Sequence, residues 1–484
     1  MILLSSSLVY YSIAMITTLI ISIIMFGVYH KLSGKPKLVS VGPPTQLGFF
    51  FVILNFVGDH IYKPIFKKPL IALEPSAVKK RRLPDHIEEE IMGPTYKNFM
   101  VGVQALHNSL VSKDCFFTTT GQFALQQIVY THVDIGSKVM KYLYEHKQKV
   151  RNGTAEPFKP VTRPLIIAGL PRTGSTLLFS LLAQHPKSRT LRNWEMFKPL
   201  PPPTKEMVDC DPRIDEVRKL QSMVDWIQTN FTKEFWKIHY YEAGAVEEEL
   251  LIMMPNLMLL THAILLGENS EFNQWYLQQE GKEFIYTFLK EFIELMGSNY
   301  YPESHWVMKT PVHSLYPEVL MKTFPDAMVV VPHRDPASVV PSWTKLCTYV
   351  LAHYYDEKDS RLCFNREDIC RNTLSQMSTA ADRFSKYRED NPSQSEQFFD
   401  VYYHDLVKDP IGVVKQICQH YDLEYSDEFE QNMKKWLADN QLGKHGRTTY
   451  SLKEYNVPIE DVYEKFADYI SQHPKLKIRD IEKK

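Results

Sequence analysis

Residues 165–176 read LIIAGLPRTGST, and this stretch decides the fold. Its first four residues are apolar and lie between Pro164 and Gly169, which is typical of a short buried strand. Residues 176–183 are mainly apolar and end before Pro186, which predicts a helix. The loop between the two elements would bring the free N–H groups of the helix N-terminus to an anion. The stretch therefore predicts a phosphate cradle.

The loop follows the spacing of a P-loop with one difference. Gly169 and Gly174 are followed by Ser175 and Thr176, but Ser175 stands where nucleotide hydrolases and kinases carry a lysine. Arg172 in the same loop can supply the missing positive charge as a planar group suited to phosphate. A glycine-rich turn by itself is more often only a turn, so the interpretation depends on the rest of the chain.

A second strand, turn and helix are predicted in residues 328–343, MVVVPHRDPASVVPSW. The apolar run reaches Arg334, and Asp335 with Pro336 is a typical helix start. Ser342 follows on the predicted helix, so an arginine at the strand end and a hydroxyl could bind one anion. The alternative is a surface pair of Arg334 and Asp335, with Ser342 in solvent.

With these motifs the chain resembles the sulfotransferases that use 3′-phosphoadenosine 5′-phosphosulfate (PAPS), in particular the broad branch with PRTGST in the donor loop. The resemblance covers roughly residues 100–475. It includes NWEMF at 193–197, WVMKTPVH at 306–313, YHD at 403–405 and HGRTTYSLKEY at 445–455. It implies a P-loop-like three-layer α/β fold with a central parallel sheet and helical additions. It also implies transfer of a sulfuryl group from PAPS to a hydroxyl or amine of an acceptor.

The resemblance assigns roles to individual residues. The first loop would bind the 5′-phosphosulfate end of the donor, and Arg334 with Ser342 would bind its 3′-phosphate. Tyr403 would lie near the adenine, unless it is a core aromatic, and Arg447 would lie in a last basic loop over the 3′-phosphate. The residues of the donor loop are Arg172, Thr173, Gly174, Ser175 and Thr176.

Two separated anion sites suit a donor with phosphate groups at both ends of an adenosine. A nucleotide hydrolase or kinase would need the loop lysine and an acidic residue that holds magnesium at a strand end. Sulfuryl transfer needs less help from a metal because the moving group carries less charge, so positive side chains and backbone N–H groups suffice. We expect PAPS as co-substrate and no metal. The alternatives are a noncatalytic membrane protein with a retained nucleotide-binding fold and, less favoured, a nucleotide kinase.

Two groups of residues are candidates for the base that takes the proton of the acceptor. His313 follows Lys309 in a segment that resembles the family's Lys-Thr-His stretch, although the histidine comes two residues later here. The other group is His239 with the acidic run that contains Glu248, since related enzymes use a glutamate. The simpler interpretations are a packed histidine and a charged first helical turn. Catalytic roles are thus predicted for His313, Lys309, Arg172, His239 and Glu248.

The composition fits a folded enzyme and argues against a nucleic-acid-binding or disulfide-rich protein. The chain has 484 residues, of which 44% are hydrophobic, enough for one large α/β domain. A formal charge of −1 argues against binding to nucleic acid. The six cysteines form no CxxC pair, so neither a zinc site nor a dense disulfide framework is predicted.

The N-terminus predicts a membrane anchor. Residues 1–29 carry no charged side chain, and residues 8–28 are enough to span a bilayer. A second apolar run, residues 47–57, is too short to span and predicts an interfacial or re-entrant segment. Lysines after the anchor favour a cytosolic body, whereas the resemblance and the Asn-x-Thr triplets at Asn152 and Asn230 favour a lumenal one. We expect a single-pass protein of the Golgi or another endomembrane.

These features divide the chain into an anchor at residues 1–30, a juxtamembrane segment at 31–84 and a sulfotransferase domain at 85–484. Within the domain, a helical lead-in at 85–160 precedes the donor-binding core at 161–484. An insertion at about residues 190–300 is assigned to acceptor binding. The acceptor is left open between a glycan, a lipid or sterol and a small phenol, and so is the oligomeric state.

Overall fold

The fold is organised by a parallel sheet that contains the strand of the first quoted stretch. A computed structural model describes residues 46–229, 233, 235, 239, 241–350, 352, 354–355, 366–440 and 450–476. The strands are β1 (Gln46–Leu47), β2 (Leu165–Ile167), β3 (Gln228–Thr229), β4 (Val307–Lys309), β5 (Met328–His333) and β6 (Phe398–Tyr402). Four of them form the main sheet in the order β4-β2-β5-β6, all parallel, while β1 pairs with β3 antiparallel.

Helices surround this sheet. The α-helices are α1 (Phe49–Asn55), α2 (Lys63–Phe66), α3 (Pro75–Lys79), α4 (Asp85–Met92), α5 (Asn98–Val111), α6 (Thr119–Arg151), α7 (Ser175–Leu182), α8 (Asn193–Phe197), α9 (Arg213–Ser222), α10 (Val224–Ile227), α11 (Leu250–Met253), α12 (Leu260–Leu266), α13 (Glu271–Leu277), α14 (Glu283–Met296), α15 (Pro317–Thr323), α16 (Pro336–Val350), α17 (Arg366–Asp390), α18 (Tyr403–Lys408), α19 (Pro410–Tyr421), α20 (Asp427–Asp439), α21 (Ile459–Lys465) and α22 (Ala467–Gln472). A π-helical segment, Phe56–Tyr62, joins α1 to α2, and 3₁₀ turns lie at Pro94–Lys97, Met254–Asn256, Pro311–Leu315, Pro392–Gln397 and Leu452–Tyr455.

Successive side chains of a strand point to opposite faces of the sheet, and here both faces are covered by helices. Leu165 of β2 belongs to a buried cluster with Leu178 of α7 and Ile417 of α19. Ile166, the next residue, belongs to the other large cluster, which includes Phe384 of α17. Helices therefore pack on both sides of a central parallel sheet. The predicted three-layer α/β fold is confirmed for the described residues.

The N-terminal part differs from the sequence prediction in one respect. The anchor predicted at residues 1–30 lies outside the described residues. The second apolar run, by contrast, is part of a longer helical segment, Phe49–Phe66, which among the described residues is the one candidate membrane span by length and composition. Within this segment Gly58 lies directly against Thr119, where a Cβ atom would collide with the threonine side chain. The helical segment is therefore longer than the predicted apolar run, and its interfacial or re-entrant placement stays a prediction.

Candidate functional site

The donor loop between β2 and α7 is fixed by its own backbone. Gly174 has a φ of 90°, and a Cβ atom on it would lie 2.9 Å from Cδ2 of Tyr403, so glycine is required. Thr173 is buried, and its hydroxyl donates a hydrogen bond to the carbonyl of Leu170 at 2.7 Å. Ser175 is the first residue of α7. Its backbone N–H is therefore one of the free N–H groups at the helix start that can bind an anion. Sequence and structure agree on this strand, loop and helix.

The second predicted anion site meets the first. Arg172 Nε donates to Ser342 Oγ at 3.1 Å, and Arg334 Nη1 donates to the Arg172 carbonyl at 2.9 Å. Burial lowers the pKa of Arg172, and the charge of Arg334 acts in the same direction while that of Glu248 opposes it. Two arginines in one partly buried place repel each other, so an anion bound between them would be strongly stabilised.

Two tyrosines complete this end of the site. The guanidinium carbon of Arg334 lies 3.9 Å from the ring centroid of Tyr403, and Arg334 Nη2 donates to Tyr450 Oη at 3.2 Å. Tyr403 follows β6 directly and also contacts Gly174. Tyr403 was expected here from the resemblance, whereas no role was predicted for Tyr450, although it lies in the HGRTTY motif. Arg447, in the same motif, lies outside the described residues.

The predicted catalytic lysine is paired with a predicted catalytic glutamate. Lys309 is the last residue of β4, and its Nζ forms an ion pair with Glu248 Oε1. The Lys309 side chain is 4% exposed and that of Glu248 is 18% exposed. The backbone N–H of Lys309 donates to Glu249 Oε2 at 2.7 Å. Two successive glutamates thus hold the end of β4. Glu248 binds the side chain of Lys309, and Glu249 binds its main chain.

His313 lies behind this pair and has no exposed surface. Its Nε2 is 2.7 Å from Glu249 Oε1, and its Nδ1 is 3.1 Å from Tyr286 Oη. Both ring nitrogens therefore have partners inside the protein. The side chain contacts Glu249, which in turn binds the main chain of Lys309. The sequence named the acidic run but gave Glu249 no role of its own.

The other candidate base also has an acidic partner. His239 Nε2 lies 3.5 Å from Glu247 Oε2. Burial alone would raise the pKa of Glu247, but the hydrogen bond and charge of His239, with the charge of Lys309, lower it overall. The acidic run does not form the first turn of a helix, because α11 begins only at Leu250, after Glu249.

An apolar cavity of about 350 Å³ lies beside the acidic run. Its walls come from α6, from α9 and α10, and from α11 with the turn after it. Tyr241 belongs to the wall, and its ring centroid lies 6.2 Å from that of His239, the partner of Glu247. Burial and the charge of Glu247 raise the pKa of Tyr241. The lining residues are Gln127, Ile128, Thr131, His132, Phe197, Leu220, Gln221, Val224, Phe235, Tyr241, Leu251 and Met254.

A larger cavity of about 500 Å³ is lined by Gly169 and Leu170 of the donor loop and by His333 at the end of β5, and it contains three side chains that could act as ligands for a metal. His333, Asp400 and His473 offer ligand atoms within 4.8 Å of one another. Arg388, however, binds both carboxylate oxygens of Asp400, at 2.7 and 3.1 Å, and His333 Nε2 is 2.9 Å from Oδ1. A cation there would have to compete with this arginine. That the reaction needs no metal stays a prediction.

The fold and the site together define a P-loop-like protein with two arginines beside the loop that follows β2. A family model described as "Sulfotransferase family" matches residues 164–427, which is more than half of the chain. The chain belongs to the sulfotransferase family, and the resemblance found in the sequence is confirmed.

Individual relatives are more distant. The chain is similar to the omega-hydroxy-beta-dihydromenaquinone-9 sulfotransferase Stf3 of Mycobacterium bovis and of Mycobacterium tuberculosis, each 24% identical over 161 residues. These residues are 32% of this chain and 36% of each relative, so the match spans about a third of the length of these curated proteins.

Solved structures of sulfotransferases share the fold. Sulfotransferase STF9 from Mycobacterium avium is 24% identical with a TM-score of 0.67, and the match covers 82% of this chain and 97% of that one. STF1 from Mycobacterium tuberculosis is 24% identical with a TM-score of 0.63, covering 80% and 98%. The likeness extends over most of the described part of the chain and concerns the fold alone.

Proposed function

We propose that this protein is a sulfotransferase that moves a sulfuryl group from PAPS to an acceptor hydroxyl. The observation that carries the proposal is the meeting of Arg172, Arg334 and Ser342 at the ends of β2 and β5. This arrangement offers positive charge for the two anionic ends of one donor, while Ser175 replaces the lysine of nucleotide kinases. PAPS would supply the activated sulfuryl group when bound.

The donor would be held by residues from three strand ends. The loop N–H groups and Arg172 suit the 5′-phosphosulfate, and Arg334 with Ser342 suits the 3′-phosphate. Tyr403 offers a ring face between Arg334 and the donor loop, which suits an adenine. Arg447 stays a prediction for the same end of the donor.

We assign the base to Glu248 rather than to His313. Glu248 is partly exposed and paired with Lys309, whereas His313 is fully buried with both nitrogens engaged. A donor phosphate would compete with Glu248 for the ammonium group of Lys309. Lys309 would then stabilise charge on the leaving phosphate, and the freed carboxylate could accept the proton of the acceptor. His313 acts as a positioning residue through Glu249, and His239 pairs with Glu247 next to Glu248.

The acceptor is proposed to be a hydroxyl group on an apolar molecule. The 350 Å³ cavity beside Glu247 is mainly lined by apolar side chains, including Phe197, Leu251 and Met254. Its walls come largely from the region that the sequence analysis assigned to acceptor binding. The relatives from Mycobacterium carry a hydroxylated menaquinone in their name, which points in the same direction. The endomembrane location, with the Golgi as the expected compartment, rests on the resemblance.

The test is calorimetric titration of the full chain in nanodiscs with 3′-phosphoadenosine 5′-phosphate (PAP) and separately with magnesium-ATP. Binding of PAP in the micromolar range, followed by transfer of labelled sulfate from PAPS to a panel of long-chain alcohols, would support the proposal. Preference for magnesium-ATP would favour a kinase instead. Binding of PAP with no transfer to any acceptor would favour a noncatalytic binding protein.

A further inference from the structure

The segment Phe49–Phe66 is attached to the protein by its polar side chains. Asp59 accepts hydrogen bonds from the N–H and the hydroxyl of Thr119, at 3.1 and 2.7 Å. Asn55 Oδ1 accepts from the N–H and the hydroxyl of Thr120, at 2.7 and 2.6 Å. These bonds satisfy free N–H groups at the N-terminus of α6, and the carboxylate of Asp59 lies at the positive end of that helix. The segment is therefore fixed along the protein surface rather than free to cross a bilayer alone.

Exposed apolar side chains lie at both ends of this segment. Phe49 and Phe50 are 64% and 56% exposed, and Ile65 and Phe66 at the other end are 66% and 56% exposed. Trp226 extends this surface, because its ring stacks on Phe50 with centroids 6.0 Å apart and is itself 62% exposed. The apolar face consists of Phe49, Phe50, Ile65, Phe66, Met223 and Trp226.

Several observations indicate a lipid bilayer as the occupant of the apolar face. Exposed aromatic and aliphatic side chains on a surface helix suit the boundary between lipid headgroups and acyl chains. Lys67 and Lys68 follow the helix directly and are exposed, where their charges match anionic headgroups. The uncharged residues 1–29, predicted to be membrane-embedded, join the described body through β1, which immediately precedes Phe49.

The 350 Å³ cavity adjoins the apolar face. Leu220 and Val224 line the cavity, while Met223 and Trp226 of the same short stretch are exposed on the apolar face. Phe51 contacts both Trp226 and Phe123 of α6, with ring centroids 4.8 and 6.1 Å apart, and the cavity begins one turn further along α6. Leu251 also lines the cavity, and it follows Glu248 by three residues in the sequence. The cavity thus lies between the apolar face and the acidic run.

We propose that the apolar face sits in the headgroup layer of the bilayer and that the acceptor, a long-chain membrane alcohol, enters the cavity directly from the lipid. This inference rests on the proposed sulfotransferase function. An acceptor that stays partly in the bilayer needs an apolar passage that begins at the lipid surface, and the arrangement of Phe50, Trp226 and Val224 provides it. A water-soluble acceptor would not need the apolar face.

The first experiment measures whether Trp226 enters the bilayer. The full chain is reconstituted in vesicles of brominated phosphatidylcholine with a minority of phosphatidylserine, and its tryptophan fluorescence is compared with that of Trp226→Phe. Bromine quenches only a tryptophan that is among the acyl chains or at their boundary. We expect the quenched part of the signal to disappear in Trp226→Phe. Equal quenching in both proteins would place Trp226 in water and overturn the proposal, and so would a dimer that buries this face.

The second experiment compares two acceptors. The variant Phe49→Gln/Phe50→Gln should lower transfer to a long-chain alcohol in the vesicles by about tenfold or more and leave transfer to its short-chain soluble analogue unchanged. Tyr142→Gln is the matched control, because Tyr142 is 38% exposed and lies about 28 Å along α6 from Phe123. Equal loss with both acceptors, or no loss with either, would overturn the proposal. PAP binding is measured for every protein, so that failure of the donor site is recognised separately.

Discussion

Arg334 lies over the ring of Tyr403, with 3.9 Å between its guanidinium carbon and the ring centroid, and this contact joins the ends of β5 and β6. The same arginine donates to the carbonyl of Arg172 in the donor loop. One side chain therefore links three elements around the proposed donor site. Its charge is held in place before any ligand binds, which reduces the entropic cost of binding an anion.

Arg334→Ala should weaken the binding of PAP by about 1.5–3 kcal/mol, the usual contribution of a hydrogen bond to a charged group. Calorimetric titration of the full chain measures the change. Arg371→Ala is the matched control, because Arg371 forms surface ion pairs with Glu367 and Asp461. Unchanged affinity for PAP in Arg334→Ala would remove this residue from the donor site.

Glu248→Gln should keep or strengthen PAP binding, because Lys309 is no longer paired with a carboxylate, and should lower sulfuryl transfer by about 10²–10⁴-fold, the usual effect of losing a general base. Glu268→Gln, at an exposed position, is the control. His313→Gln should reduce the rate much less than Glu248→Gln does, but lower the melting temperature, since His313 is buried between Glu249 and Tyr286. A large loss of rate in His313→Gln with an unchanged melting temperature would identify the histidine as the base.

Stability should fall as the pH falls below about 6.5 because of His132. Burial lowers the pKa of this histidine to about 4. The unfolded chain takes up the proton at a higher pH than the folded one. The contribution of this residue to the free energy of unfolding is therefore lost as the pH falls from the unfolded pKa near 6.5 to the folded pKa. The expected loss from this residue is about 2 kcal/mol between pH 7 and pH 5. Urea unfolding at both pH values measures it.

His132→Phe should remove that part of the pH dependence, since phenylalanine does not titrate. His305 and His473, whose pKa values burial lowers to about 3, act in the same sense and remain in the variant. The comparison therefore rests on the difference between the two proteins at each pH. An identical difference at pH 7 and at pH 5 would contradict the prediction.

Transfer of sulfate should be insensitive to chelation. Dialysis against EDTA is expected to leave the rate from PAPS unchanged, because the positive charges of Arg172, Arg334 and Lys309 serve where a kinase uses magnesium. The rate is measured with labelled PAPS before and after dialysis, and again after zinc or magnesium is restored. Loss of activity that a metal restores would contradict this prediction and would indicate His333, Asp400 and His473 as the candidate metal ligands.

Asn152 should carry a glycan if the body faces the lumen. It lies at an exposed position just after α6, with Gly153 and Thr154 completing the acceptor triplet. Treatment with an endoglycosidase should increase the gel mobility of the protein expressed in animal cells, and Asn152→Gln should show the faster band without treatment. A band at the same position in all lanes would contradict a lumenal orientation. The triplet at Asn230 lies outside the described residues.

The elements of the fold were largely predictable, because their signals are local. The strand predicted at residues 165–168 is observed at Leu165–Ile167, and the helix predicted at 176–183 at Ser175–Leu182. Asp409 and Pro410 likewise begin α19, whose apolar stripe is buried. That stripe is Val413, Val414, Ile417, Cys418 and Tyr421.

The environment of the site was less predictable. The sequence places Arg172, Arg334 and Ser342 at strand ends and helix starts, and the parallel order β2 next to β5 brings them together. It does not indicate which member of the acidic run meets Lys309. Nor does it indicate that Tyr450 meets Arg334, because that contact links residues 116 positions apart.

The sequence by itself determined the strand, loop and helix that cradle an anion, the family, and the apolar character of the N-terminal residues. Spacing and apolar periodicity act over a few residues, so they can be read along the chain. Only the tertiary structure decided that Glu248 pairs with Lys309, that His313 is enclosed, and that Asp59 fixes an apolar helix to α6. These contacts join residues about 60 positions apart, and burial depends on which elements pack together, which no local pattern contains.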